Sequence, residues 1–167
     1  MKRIARFEKV SEAQFCTAWQ ETFGTDGKAI YETIRLPRRA TAGSAGYDFF
    51  APDGFTLEPG QSIKIPTGVR VWIENGWVLK LYPRSGLGFK YRLQMDNTVG
   101  IIDSDYYSAD NEGHIFIKLT NDSKEKKTLT VPAGNGFAQG IFVEFGVTLD
   151  DESDGVRTGG FGSTGGV

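Results

Sequence analysis

Six runs of alternating apolar and polar residues, "QSIKIPTG", "VRVWIEN", "WVLKLYP", "HIFIKLTN", "KKTLTVP" and "GIFVEFG", fall between Gln61 and Gly146 and are parted by glycine, proline and asparagine. A period of two sends successive side chains to opposite faces of an extended chain. These runs therefore predict short strands joined by tight turns, and an all-β fold class. With 39% apolar and 24% charged residues, a chain of 167 residues is expected to form a single domain, 1–167, with a real core.

One segment follows a different period. Ser11-Glu12-Ala13-Gln14 is a capping-box pattern, Val10 and Phe15 can form the hydrophobic staple, and Phe15, Ala18, Trp19 and Phe23 share one helical face before Gly24. A short helix is expected there, so residues 1–30 read as an N-terminal helical elaboration. At the other end the acidic "DDESDG" leads into a Gly-rich tail, 155–167, expected to be flexible.

A net charge of −2 and a pI near 5.5 offer no basic face for a nucleic-acid duplex. No apolar run approaches membrane-spanning length, and no apolar stretch of signal-peptide type follows "MKRIARFEKV". No nucleic-acid and no membrane partner is expected, and the location is expected to be cytoplasmic, or intracellular if phage-encoded. The lone Cys16 rules out an internal disulfide and a thiolate zinc cluster, and reads as a small semi-buried hydrophobe on the helix. Any histidine base would have to be His114, which reads as a strand residue within its alternating run.

The chemistry-bearing residues begin with Asp103 and Asp105, which follow an apolar run in "NTVGIIDSDYYSADNEG". Paired carboxylates of this kind point to a turn, a metal site or acid/base work. A calcium loop fails, because its third ligand position is Tyr107, its glycine position Ser108 and its closing glutamate position His114. The tail has the spacing Gly160-x-Gly162-x-x-Gly165, but nothing after it supplies the helix and acidic residue of a dinucleotide fold. Its glycines, Ser163, Thr164, Arg157 and Phe161 still suit a phosphate-cradling segment. "YPRSGLGFK" sets Arg84 and Ser85 before Gly86 and Gly88, which predicts a sharp turn with anion-binding groups. Asp48 sits in the aromatic run "SAGYDFFAP", where a carboxylate needs a partner, and Gln139 opens an apolar strand.

Taken in order, Ala45-Gly46-Tyr47-Asp48, Pro83 to Lys90, Asn97 with Gly100 to Tyr106, Gly136 to Gln139, and Arg157 with Gly159 to Gly165 resemble the five motifs of trimeric dUTP pyrophosphatases, the dUTPases. The resemblance runs from about Thr41 to Gly165. It implies a distorted β-jelly roll of the dUTPase-like β-clip type, a homotrimer with sites shared among subunits, and Mg2+-assisted hydrolysis of dUTP to dUMP and pyrophosphate. Such an activity limits uracil incorporation into DNA and supplies dUMP.

By the same resemblance, Asp103 is the base that deprotonates a water attacking the α-phosphorus, with Val99, Ile101 and Ile102 as its dry walls. Asp105 reads as structural. Asn97 and the backbone around Gly100, Ile101 and Ile102 would meet the uracil edge, and the ring of Tyr106 would pack on the deoxyribose and leave no space for a 2′-hydroxyl. Arg84, Ser85, Gly86, Phe116 and Gln139 are further substrate positions, Asp48 holds Mg2+ through water, Phe161 stacks on the base, and Arg157, Gly162 and Ser163 close over the phosphates. The Arg84-Ser85 turn, the Asp103 hairpin and the tail would come from three different subunits.

Three departures stand out. Arg157 lies one residue closer to Phe161 than in many members, "YSADNEG" replaces the usual step after Tyr106, and the Ser11–Phe23 helix is an addition expected to pack on the outside of the trimer. Two other readings remain: a related deaminase acting on dCTP, which should lack the stacking tail, and a non-enzymatic trimer that uses nucleotide as a switch for a protein partner.

Overall fold

The computed structural model describes residues 1–155 and residue 159. Its elements are β1 (Ala5–Lys9), α1 (Glu12–Phe23), α2 (Lys28–Thr33), β2 (Arg38–Arg39), β3 (Tyr47–Phe50), β4 (Phe55–Leu57), β5 (Ser62–Pro66), β6 (Val69–Ile73), β7 (Trp77–Pro83), α3 (Ser85–Tyr91), β8 (Leu93–Met95), β9 (Gly100–Ile102), a 3-10 turn (Ser104–Ser108), β10 (Phe116–Asn121), β11 (Leu129–Val131) and β12 (Gly136–Glu144). Every strand pairing is antiparallel. The sheets run β2-β3-β12-β7-β9 and β5-β10-β8, with the pairs β1-β6 and β4-β11 beside them. The chain is mostly β, as its alternation predicts.

Period two decides what faces inward. Leu79 and Leu81 of β7, Ile117 and Leu119 of β10, Ile102 of β9 and Phe137 of β12 are each at most 1% exposed, while Lys118 between two of them faces out. Burying a side chain of this size contributes about 1.5–3 kcal/mol. Within the central sheet, β12 carries Gly140, at which a Cβ would stand 2.8 Å from Cδ1 of Leu79 on the neighbouring β7.

The N-terminal helix is joined to the core of its own chain: Phe15 is fully buried and Trp19 nearly so, with their rings 5.3 Å apart. Phe23, the fourth residue of the expected face, stays 37% exposed. Ser11 Oγ accepts the Gln14 N–H at 3.2 Å, and Gly24, at φ 72°, ends the helix by donating its N–H to Gln20 O at 2.9 Å. Only this half of the capping box is local. The Ser11 N–H donates to Glu112 Oε2 at 2.7 Å, whereas the Gln14 amide meets His114 Nδ1 at 3.4 Å.

Further elements differ from the sequence expectation. β1 and α2 arise in segments with no strong pattern, and "RSGLGFK" forms α3 instead of a bare turn. His114 precedes β10 and lies in no strand, although it is fully buried. The segments flanking the Asn97 turn do not form a hairpin with each other: β8 pairs with β10, and β9 with β7. Among the described residues, no helix is long and apolar enough to cross a membrane.

Candidate active site

The central sheet brings three of the sequence-selected positions together. In register, Arg38, Asp48, Gln139 and Tyr82 form a row across β2, β3, β12 and β7, and directly opposite residues of antiparallel strands share a face. Arg84, which follows β7, turns back so that its Nε lies 3.2 Å from Asp48 Oδ1 and its Nη1 donates to Gly136 O at 3.2 Å. A Cβ at Gly136 would sit 2.9 Å from Arg84 Nη1, so a bare backbone is what lets the guanidinium lie there. Gln139 Nε2 donates to Pro83 O at 3.1 Å, which pins the exit of β7. Arg84 is the N-cap residue of α3, and Ser85 and Gly86 are exposed on its first turn.

A second group forms around β9. The turn before it is tight: Thr98 N–H donates to Met95 O at 3.0 Å and Val99 N–H to Asn97 O at 2.7 Å, with Thr98 held at φ 66°. A β-branched residue adopts positive φ only under constraint, and such strain concentrates at functional sites. Gly100 packs on Leu81, where a Cβ would stand 3.0 Å from Leu81 Cβ. Asn97 and Phe116 share a cleft of about 600 Å³ with Lys64, Asp96, Asn111 and Lys118. Lys64 and Lys118 are cross-strand partners, and their repulsion is relieved because Lys118 pairs with Asp96 at 2.8 Å while Lys64 lies 4.7 Å from the centre of the Phe116 ring. Burial pushes the Asp96 carboxyl up, but its hydrogen bonds with Lys118 and Thr120, and the Lys118 charge, hold it below the usual aspartate range. The alternation of "HIFIKLTN" puts Phe116 and Lys118 on one outward face, which is the signal that could have found Lys118.

Asp103 ends β9 as the N-cap residue of the 3-10 turn and is exposed. Of its expected dry walls only Ile102 is buried; Ile101 is 44% exposed within one chain. Tyr106 is 2% exposed, with its hydroxyl donating to His114 O at 2.7 Å, so the ring presents no free face of the kind expected for packing on a sugar. Asp105 does not share a strand face with Asp103, because it belongs to the 3-10 turn.

Asp103 and Arg84 lie toward opposite ends of β7, whereas Gly100, opposite Leu81, is nearer the Arg84 end. Ile102 is opposite Leu79, whereas Arg84 follows Pro83. At ~3.3 Å per residue this places Asp103 and Arg84 roughly 17–20 Å apart along the strand. Arg157, Phe161, Gly162 and Ser163 lie outside the described residues.

Among the described residues no group of three or more His, Cys, Asp or Glu side chains could hold a metal ion directly. Among the described residues, the carboxylate in the Arg84 cluster is that of Asp48. That donor set fits Mg2+ held mainly by phosphate oxygens and its own waters.

An antiparallel β fold that gathers an arginine, a carboxylate and an amide at one end of its central sheet, near a strained turn and a glycine packed on Leu81, has the materials of an anion-binding protein. The dUTPase family model matches residues 32–165. A deoxyuridine 5'-triphosphate nucleotidohydrolase of Lactococcus lactis is 42% identical over 135 residues, covering 79% of this chain and 89% of the relative. The dUTPase of Streptococcus mutans, known from a crystal structure, superposes with a TM-score of 0.63 at 34% identity, covering 85% of this chain and 97% of the other. The phage phi11 dUTPase, in a mutant form described as coordinating a structural Mg(II) ion, shares the fold at a TM-score of 0.63 and 21% identity, covering 92% and 98%. The chain belongs to the dUTPase family and is a dUTP diphosphatase.

Proposed function

We propose that the chain cleaves dUTP between the α-phosphorus and the α,β-bridging oxygen, as a homotrimer whose sites are built from more than one subunit. The observation that carries this reading is the separation of Arg84 and Asp103 along β7, since neither cluster alone holds both a base and a phosphate anchor. A second chain that lays its Arg84-Ser85-Gly86 corner against the Asp103 turn would supply both.

In that arrangement Asp103 accepts a proton from the attacking water as the new P–O bond forms, and pyrophosphate leaves from the other side. Positioned general-base catalysis contributes roughly 10²–10⁴ in rate. Arg84 and Ser85 hold phosphate oxygens, and Gln139 fixes the strand end beneath them. Asp48 would hold the water shell of Mg2+, which would supply neutralisation of phosphate charge. Asn97 and the backbone of Gly100, Ile101 and Ile102 read the uracil edge; a mismatched buried hydrogen bond there costs about 1–3 kcal/mol. Phe116 lines the neighbouring cleft. Residues Arg157, Phe161, Gly162 and Ser163 are proposed to close over base and phosphates. The location is proposed to be cytoplasmic.

The test is subunit complementation. Arg84→Ala chains, defective in dUTP binding, and Asp103→Asn chains, defective in turnover, should regain pyrophosphate release at dUTP concentrations well below the KM of the Arg84→Ala enzyme when refolded together. Failure of mixed trimers to exceed either parent would place each site within one chain. Release from dUTP but not from dCTP, dTTP or UTP, with Mg2+ present and absent, checks specificity and the metal in the same assay.

A further inference from the structure

Two of the three departures from the family pattern, the α1 helix and the "YSADNEG" bulge, are one structural unit. Glu112 joins them: its Oε2 accepts the Ser11 N–H at 2.7 Å and its Oε1 accepts the Ser11 hydroxyl at 2.6 Å, across 101 residues of sequence. The Glu112 backbone is held at φ 59°, and its N–H donates to Ala109 O at 2.8 Å. Beside it Gly113, at φ 70°, lies so close to the 3-10 turn that a Cβ would stand 2.7 Å from Tyr106 O.

From there the contacts lead to Asp103. Asn111 Nδ2 donates to the Tyr106 hydroxyl at 2.8 Å, that hydroxyl donates to His114 O at 2.7 Å, and the Tyr106 N–H donates to Asp103 O at 3.2 Å. On the far side of the turn, the Tyr107 hydroxyl donates to Glu8 Oε2 at 2.7 Å, and Arg70 Nη2 donates to Tyr107 O at 2.8 Å. The Arg70 guanidinium also lies 3.6 Å from the centre of the Tyr107 ring. The turn that Asp103 caps is thus clamped to β1, β6 and the start of α1.

We propose that Glu112 is a positioning residue for the reaction: by latching the bulge to the N-terminus of α1, it fixes the 3-10 turn and, through Tyr106, the direction of the Asp103 carboxylate. The proposal rests on the reading of Asp103 as the general base. A base that must line up a water tolerates little error, and displacement by about 1 Å costs up to ~10² in rate. Loss of the latch therefore acts on turnover more than on nucleotide binding.

Glu112→Gly is the informative variant, because glycine keeps the positive φ without strain and removes only the side chain. Its kcat for dUTP should fall about tenfold or more, with KM within about twofold of the parent, under conditions where circular dichroism and molecular mass match the parent. Glu112→Gln, which can still accept the Ser11 N–H, should recover most of that loss. A folded Glu112→Gly enzyme with parental kcat and only a lower melting temperature overturns the proposal, as does a loss of kcat that Gln does not repair. If Glu112→Gly fails to fold, Tyr107→Phe replaces it, deleting only the bond to Glu8. A fall in its kcat at constant KM supports the clamp, and a parental kcat overturns it. Asp103→Asn is run alongside: parental turnover there removes the general-base reading itself, whereas its collapse beside a parental Glu112→Gly removes only the latch.

Discussion

The Arg84 guanidinium reaches back across the sheet end to lie 3.2 Å from Asp48, so a phosphate anchor and a carboxylate proposed to hold a metal shell share one ion pair. With Arg84 side-chain exposure at 43% and Asp48 at 20%, the pair adds little to stability, and its value lies in aim. Arg84→Ala should leave folding intact and weaken dUTP binding. A charge-assisted hydrogen bond to phosphate is worth about 1.5–3 kcal/mol, which corresponds to a rise in KM on the order of 10- to 100-fold. Arg84→Lys should recover only part of this, because an ammonium cannot face a carboxylate and a phosphate as a planar fork. Steady-state kinetics on both variants check the ranking.

Asp48 should report on the metal in a different way. Asp48→Asn keeps the shape of the row Arg38, Asp48, Gln139 and Tyr82 but halves the hard-donor character that a hydrated Mg2+ prefers. The Mg2+ concentration needed for half-maximal rate should rise several-fold, with the rate at saturating Mg2+ closer to the parent. A Mg2+ titration of initial rates decides the matter, and an unchanged half-saturation point would remove Asp48 from the metal's shell.

For Asp103→Asn, turnover should fall by roughly two to four orders of magnitude, as loss of a general base produces. Affinity for a non-hydrolysable dUTP analogue, measured by calorimetry, should stay within a few-fold. Equal losses in affinity and turnover would mean that the residue binds rather than activates.

The β framework was legible because burial obeys the same period as the sequence: Leu79 and Leu81 alternate with Lys80 in β7, and Ile117 and Leu119 flank Lys118 in β10. The Asp48, Arg84 and Gln139 cluster was legible as a set of residue types, and the sheet register then explains why distant segments meet. What was hidden depends on partners far away in sequence. β1 is a strand because β6 offers it an edge, not because "ARFEK" alternates cleanly. The capping partner of Ser11 is Glu112 rather than the local Gln14, so a short motif read correctly as a helix start misplaced the second half of its hydrogen bonding. Ile101 was read as a dry wall from its chemistry, but it lies on β9, an edge strand of the central sheet, where its side chain is exposed.

The tail offers a clean separation of assembly from chemistry. A chain ending at Gly155 keeps every described strand and all the described core residues, so it should assemble as the full chain does. It should hydrolyse dUTP poorly, since Arg157, Phe161 and Ser163 are proposed to cover the bound nucleotide, and base stacking alone contributes about 1–3 kcal/mol. Light scattering and pyrophosphate release together test both halves. Loss of assembly in the truncated chain would make the tail structural.

His114 gives the fold an acid limit. It is fully buried, its Nε2 accepts the Gly68 N–H at 2.9 Å, and its ring centre lies 4.5 Å from that of the tilted Phe116 ring, so it is held neutral with the proton on Nδ1. Burial pushes its pKa down to about 4 against the pull of the Glu112 carboxylate and with the help of Lys64. Because the folded value lies below the ordinary 6.5, the unfolded chain binds the proton first as pH falls. The contribution is fully present above pH ~6.5 and is lost progressively down to about pH 4, up to about 3 kcal/mol in all. Glu8, Asp96, Glu112 and Asp122 are held below the usual carboxylate range, so their losses begin near pH ~5 and leave the upper part of the window to the only histidine in the chain. Urea midpoints at fixed protein concentration should fall between pH 6.5 and 5 in the parent. His114→Gln, whose amide oxygen can accept the same Gly68 N–H, should flatten that slope; an equally steep slope in the variant would assign the acid sensitivity to other groups.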